Sequence, residues 1–135
     1  MDDREVQLFL NRALTAIIGT SGPSGAPHGV PVWYRYDQGQ FLVWTDSSRR
    51  WVRNLQRSPD VSVVVAEHVA PFAAVVAHGK AEIETDGPEL QDQVRQIVRR
   101  YLPEHEVEDY IAQWSRLRTI VRITPQRITA WARGF

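Results

Sequence analysis

Apolar positions recur along the chain at two spacings, and the changes between them mark its elements. Val6, Phe9, Leu10 and Ala13 fall at helical spacing, which predicts a short amphipathic helix at the start. Residues 14–20 form a β-branched, apolar run that ends at the breaker cluster Ser21-Gly22-Pro23-Ser24-Gly25. From His28 to Tyr36, the residues Val30, Val32, Tyr34 and Tyr36 alternate with Pro31, Trp33 and Arg35, a period of two that predicts one strand. Asp37-Gln38-Gly39-Gln40 reads as a hairpin turn and residues 41–45 as the returning strand. The opening third is therefore expected to be a three-stranded meander.

The spacing then turns helical. Asp46-Ser47-Ser48 supplies helix N-cap chemistry, and residues 49–57 place Val52 and Leu55 on one face. Residues 61–67 read as a buried strand, and residues 72–84 as a long strand beyond a loop at Ala70-Pro71. A helix opened by Pro88 carries Leu90, Val94, Ile97, Val98 and Tyr101. A second, after Pro103, carries Val107, Tyr110, Ile111, Trp114 and Leu117. Two closing strands, 118–124 and 127–132, are expected around a turn at Pro125-Gln126. The sum is a mainly β fold with flanking helices, an antiparallel barrel or sandwich of six to seven strands. No βαβ rhythm exists to support a doubly wound parallel sheet.

Composition narrows the picture. A chain of 135 residues makes one domain, spanning 1–135. It has no cysteine, which excludes disulfides and thiolate chemistry. Sixteen basic residues balance sixteen acidic ones, which argues against nucleic acid or an anionic membrane as partner. No apolar run reaches the ~20 residues of a membrane helix. The acidic start, Met1-Asp2-Asp3-Arg4-Glu5, is not a signal peptide, so a cytoplasmic location is expected. Lys80 is the single lysine among the sixteen basic residues, and the arginines suit bidentate recognition of anions.

Candidate chemistry gathers in two stretches. Thr45-Asp46-Ser47-Ser48-Arg49-Arg50 leads from a strand into a helix, and free N–H groups at a helix start, joined by hydroxyls and guanidiniums, suit a phosphate. The same residues also read as an ordinary capped helix with a solvated basic face. In the second stretch, Pro31 has no N–H for a ladder, which puts its strand at an edge or a bulge. There it either blocks aggregation or leaves backbone groups free for a flat heterocycle. His28, His68, His78 and His105 show no metal-ligand spacing, and no metal is expected. No nucleophile elbow or Gly-rich phosphate loop is present.

The order of Gly25-Ala26-Pro27-His28-Gly29-Val30-Pro31-Val32-Trp33-Tyr34, a strand ending in Thr45, Ser48-Arg49-Arg50-Trp51-Val52-Arg53-Asn54-Leu55 and a Val-rich strand resembles the pyridoxamine 5′-phosphate oxidase-like split β-barrels. These bind FMN or the deazaflavin F-420. The segment from Thr45 to Pro59 follows the oxidase pattern without a gap, and Pro125–Trp131 resembles the family's closing strand. The resemblance implies that Thr45, Ser48, Arg49 and Arg50 grip the cofactor phosphate. It lays the ring along Val30, Pro31 and Val32, and brings Trp131, with Arg133 near it, to the ring from a partner subunit. Trp33, Ser47, Trp51, Arg53 and Asn54 belong to the same implied site, and Trp51 stands where the common pattern has lysine. The chain lacks the Arg-and-His tail of the true oxidases, so vitamin B6 synthesis is not expected.

The implied function is hydride or electron transfer through bound FMN to a small substrate, in a homodimer with the cofactor at its interface. F-420 is the alternative cofactor. No catalytic acid or base is assigned by the sequence. Two readings of other classes stand beside this one: a non-catalytic flavin or haem carrier, and a barrel stacking single-stranded nucleic acid on Trp33, Tyr34 and Trp44.

Overall fold

A computed structural model describes residues 1–135 as four helices and seven strands. The chain opens with α1 (Asp3–Leu10), whose start is fixed by a reciprocal cap: the Asp2 carboxylate accepts from the Glu5 N–H at 2.8 Å, and the Glu5 carboxylate accepts from the Asp2 N–H at 3.2 Å. There follow β1 (Ala16–Ser21), β2 (Pro27–Val32), β3 (Arg35–Asp37), β4 (Gln40–Thr45) and α2 (Arg50–Arg57). The second half contains β5 (Asp60–Ala66), β6 (Ala74–Thr85), α3 (Leu90–Val98), α4 (Glu104–Gln113) and β7 (Thr119–Trp131). No helix is long and apolar enough to cross a membrane.

All pairings are antiparallel, and the strand order is β2-β1-β5-β6-β7-β4-β3. Strands β2 and β3 lie at opposite edges of that order, yet Trp33 and Tyr34 alone connect them. The three Cα–Cα steps from Val32 to Arg35 span at most about 11 Å, so the sheet has to curl until its edges approach. The result is a split barrel, open along the β2/β3 seam.

Burial follows the period of two. Phe41 and Val43 of β4 point into the barrel with Ile18, Val63, Val75, Val121 and Ile123, and α1 and α2 close this main core through Leu10, Val52 and Leu55. Leu42 and Ile120 point the other way and form a second cluster with Val94, Ile97 and Val98 of α3 and Val107 and Ile111 of α4. Strand β4 is thus buried on both faces, which explains its unbroken apolar run.

Four expectations are corrected. The single strand over His28 to Tyr36 is two strands, and the three-stranded meander does not form. The Tyr101 hydroxyl accepts from the Tyr34 N–H at 3.1 Å and sits 3.2 Å from the Tyr34 carbonyl, so the backbone there bonds a side chain from behind α3 instead of a ladder. The turn at Pro125-Gln126 is absent: β7 runs unbroken past it. A register shift opposite His78 and Gly79 places Pro125 against Gly79, and this bulge absorbs the proline's missing donor. Helix α2 has Arg49, without a side-chain bond, as its N-cap. Ser48 instead donates its hydroxyl to Asp46, which lowers the Asp46 carboxyl below its usual range. Helix α4 ends at Gln113, leaving Trp114 at its C-cap and Leu117 beyond it.

Arg100 ties the helices together. Its guanidinium donates to the carbonyls of Asn11 at 3.1 Å and Arg12 at 2.8 Å, lies 5.2 Å from the Tyr34 ring centroid, and brings positive charge to the C-terminal end of α1.

The bulge demands glycine. A Cβ at Gly79 would collide with the Thr124 carbonyl, whose carbon would lie 2.8 Å away. Backbone cannot swing aside as a side chain can, so Gly79→Ala should cost about 1–3 kcal/mol of stability, measured by urea unfolding.

Candidate functional site

A cleft of about 430 Å³ opens at the barrel seam. One wall is β2, contributing Val30, Pro31 and Val32. As an edge strand, β2 pairs with β1 on one side and leaves its other backbone edge free. At the end of β4, buried Thr45 meets the start of α2, where Arg49 and Trp51 join the lining. The facing wall is aromatic: Trp33, Trp44, Tyr110 and Trp114.

That wall is held by stacking and by hydrogen bonds at its edges. The Trp33 ring lies between Tyr101, at 4.7 Å and 4° to it, and Tyr110, at 5.2 Å. The Tyr101 hydroxyl donates to the Leu14 carbonyl at 2.8 Å, and the Trp44 indole N–H to the Leu117 carbonyl at 2.6 Å. The stacks and the Trp44 bond fix this wall, whose rings make the cleft lining largely apolar.

The electrostatics are one-sided. Arg49 and Tyr110 are the ionisable residues in the lining, which holds no carboxylate and no histidine. Arg49 is exposed and makes no ion pair, so its charge is available to a ligand. Burial raises the pKa of the Tyr110 phenol, which keeps it neutral at physiological pH. The cleft can therefore take a flat, largely apolar group with an anion at the Arg49 end, but it supplies no carboxylate base.

Of the residues singled out from the sequence, the structure brings Val30, Pro31, Val32, Trp33, Thr45, Arg49 and Trp51 together in this cleft. Trp51 is also 4% exposed and part of the main core, so the position usually taken by lysine is used here for packing. The others stand elsewhere. Ser47 and Ser48 lie in the turn before α2, outside the cleft lining, and Arg50 and Arg53 lie on the exposed face of the helix. Asn54 is buried, donating to the Thr20 hydroxyl at 3.0 Å and accepting from Arg57 at 3.1 Å. Trp131 pairs with Ala74 on the sheet, Arg133 follows it exposed, and neither lines this chain's own cleft. No three His, Asp or Glu residues are grouped to hold a metal ion.

Sequence reasoning missed Trp44, Tyr110 and Trp114 as cleft residues. Tyr110 and Trp114 were legible as a helical i, i+4 pair, but that spacing equally describes a core stripe.

Fold and cleft together define an antiparallel split barrel with a ligand cleft at its seam. The family model for pyridoxamine 5′-phosphate oxidase matches residues 2–132, and the chain belongs to that family. No curated protein matches the sequence. Among solved structures, the conserved hypothetical protein Rv2991 of Mycobacterium tuberculosis is 27% identical with a TM-score of 0.82, over 97% of this chain and 84% of that one. An F420 reductase is similar at 22% identity and a TM-score of 0.73, over 91% of this chain and 94% of that one. HutZ, the haem storage protein of Vibrio cholerae, is similar at 20% identity and a TM-score of 0.76, over 98% and 96%.

Tyr101→Phe keeps the stack on Trp33 but strands the Tyr34 N–H and the Leu14 carbonyl. The expected loss is about 1–3 kcal/mol in thermal or chemical unfolding, with the cleft less ordered by amide exchange.

Proposed function

We propose that this protein is an oxidoreductase that holds FMN in the seam cleft and passes hydride or electrons between it and a small substrate. The observation that carries this reading is the cleft itself: an unpaired backbone edge at Val30–Val32 faces an aromatic wall, with an unneutralised arginine at one end. Its volume falls within the range of roughly 300–1,000 Å³ usual for small-molecule and cofactor sites, and its lining fits a planar ring with a phosphate tail. The β2 edge would hydrogen-bond the polar rim of the ring. Arg49, Thr45 and the free first-turn N–H groups of α2 would hold the phosphate. The flavin supplies the redox chemistry when bound. The chain's residues exclude water from one ring face and fix the orientation of the other.

The deazaflavin F-420 is a second reading, favoured by one observation. Helix α2 contains no acidic residue, and Arg49, Arg50 and Arg53 form no ion pair, so an unneutralised ridge leads away from the cleft. A long polyanionic tail could use that ridge, which FMN would leave idle.

A second copy of the chain belongs to the proposal. On the sheet face away from the core, Pro31, Ile17, Val64, Val76 and Thr129 are successive cross-strand partners, with Ile17 42% exposed. Such a strip calls for cover, and Trp131 on the same sheet would then reach a partner's cleft.

Protein purified without added cofactor should absorb as a flavin or deazaflavin, or take up one of them on titration. Arg49→Ala should weaken binding by about 1.5–3 kcal/mol, the worth of a hydrogen bond to a charged group, and more than Arg50→Ala does. A colourless protein that binds neither cofactor, or unchanged affinity in Arg49→Ala, would falsify the assignment. Sedimentation should show a dimer that Ile17→Glu converts to monomer with weakened cofactor affinity. A monomeric wild-type protein that binds cofactor fully would reject the shared site.

A further inference from the structure

We infer that Trp44 limits the size of ligand that the seam cleft admits, by stopping any substituent that points from the aromatic wall towards α3 and α4. Behind Trp44 lies a smaller recess of about 160 Å³ between those two helices, with Val94, Ile111 and Leu117 in its lining. The inference rests on the reading of the cleft as a ligand site, and not on which cofactor the cleft holds.

Trp44 and Leu117 are the residues common to the linings of cleft and recess, and they are bonded to each other. The strand period explains why Trp44 lies there. It stands two residues after Leu42, on the face of β4 that carries the helix pair, and it packs against the cluster of Leu42, Val94 and Ile97. Its indole N–H donates to the Leu117 carbonyl at 2.6 Å, and the Tyr110 ring meets it edge-on, with centroids 6.4 Å apart and planes at 70°. The indole is therefore held from two sides. Swinging it aside would break its bond and leave the Leu117 carbonyl without that donor.

Along α3, Ile97 lines the cleft and Val94, one turn earlier, lines the recess, so the two spaces follow one another along the helix pair. The charged residues of the recess lining, Arg95 and Glu108, are spent on each other in an ion pair at 2.6 Å. An apolar arm on a ligand ring would gain burial among Val94, Ile111 and Leu117 if it could enter, and the indole bars its way. The cleft therefore selects compact planar rings over rings that carry a long arm on that side. A smaller residue at position 44 would join the two spaces and extend the range.

The test titrates the protein as purified with para-alkylphenols, from methyl to heptyl, and follows the indole ¹H–¹⁵N signals. The colour of the same sample reports the cofactor separately, so failure of the flavin reading leaves this measurement intact. In the wild type, affinity should rise about fourfold per methylene and stop rising once the arm reaches Trp44. In Trp44→Ala the rise should continue, so that the heptyl probe binds about tenfold tighter than it does to the wild type. Trp114 lines the cleft and not the recess, so Trp114→Ala should weaken the whole series without moving the stopping point. Trp44→Leu keeps apolar packing against the helix pair and carries the same expectation if Trp44→Ala does not fold, which the amide spectrum reports. A wild-type affinity that climbs through heptyl, a stopping point unmoved in the Trp44 variants, or an equal displacement in Trp114→Ala would overturn the inference.

Discussion

The hydroxyl of Tyr101 holds the point on which the barrel turns. It bonds the backbone of Tyr34 and the carbonyl of Leu14, so one side chain fixes the step between β2 and β3 and the entry to β1. Without that anchor the alternating residues from His28 to Tyr36 could continue as one strand, and the two sheet edges would have no reason to meet. Burial raises the pKa of the Tyr101 phenol, which keeps its donor in place through the physiological range. At the same step Trp33 turns outward onto Tyr101 and Tyr110, while Tyr34 turns inward and donates its hydroxyl to the Leu10 carbonyl at 2.8 Å. The break that closes the barrel also builds one wall of the cleft.

The second organising constraint is the double burial of β4. Its odd positions fill the barrel and Leu42 supports α3 and α4, so the helix pair has to lie over β4 and β7. That placement carries Tyr110 and Trp114 to the mouth of the seam. Helix α2 works in the same divided way: Val52 and Leu55 pack inward, Trp51 serves both core and cleft, Asn54 bonds Thr20, and the arginines remain outside. The charge in the cleft is therefore a by-product of which face of a short helix the core requires.

Membership of the pyridoxamine 5′-phosphate oxidase family and the geometry of the cleft bear on function from different directions. The family match covers nearly the whole chain, and the cleft gathers half of the residues that the resemblance implied for the cofactor. A lining with one cation and no carboxylate places the burden of chemistry on whatever is bound, while the protein contributes shape, an apolar wall and one anion anchor.

Local patterning by itself determined the antiparallel, mainly β class, all four helices to within a few residues, and the placement of the Pro31 strand at an edge or a bulge. These follow from side-chain period and from a missing N–H, properties that neighbouring residues carry with them wherever they fold. Tertiary structure decided the rest. The strand break at Trp33-Tyr34 depends on a tyrosine 67 positions away, and the continuity of β7 through Pro125 depends on a glycine in the strand beside it. The aromatic wall depends on where a helix pair can find apolar side chains on the backs of β4 and β7, Leu42 and Ile120. Each is a choice between two locally acceptable conformations, settled by a partner that is distant along the chain and near in space.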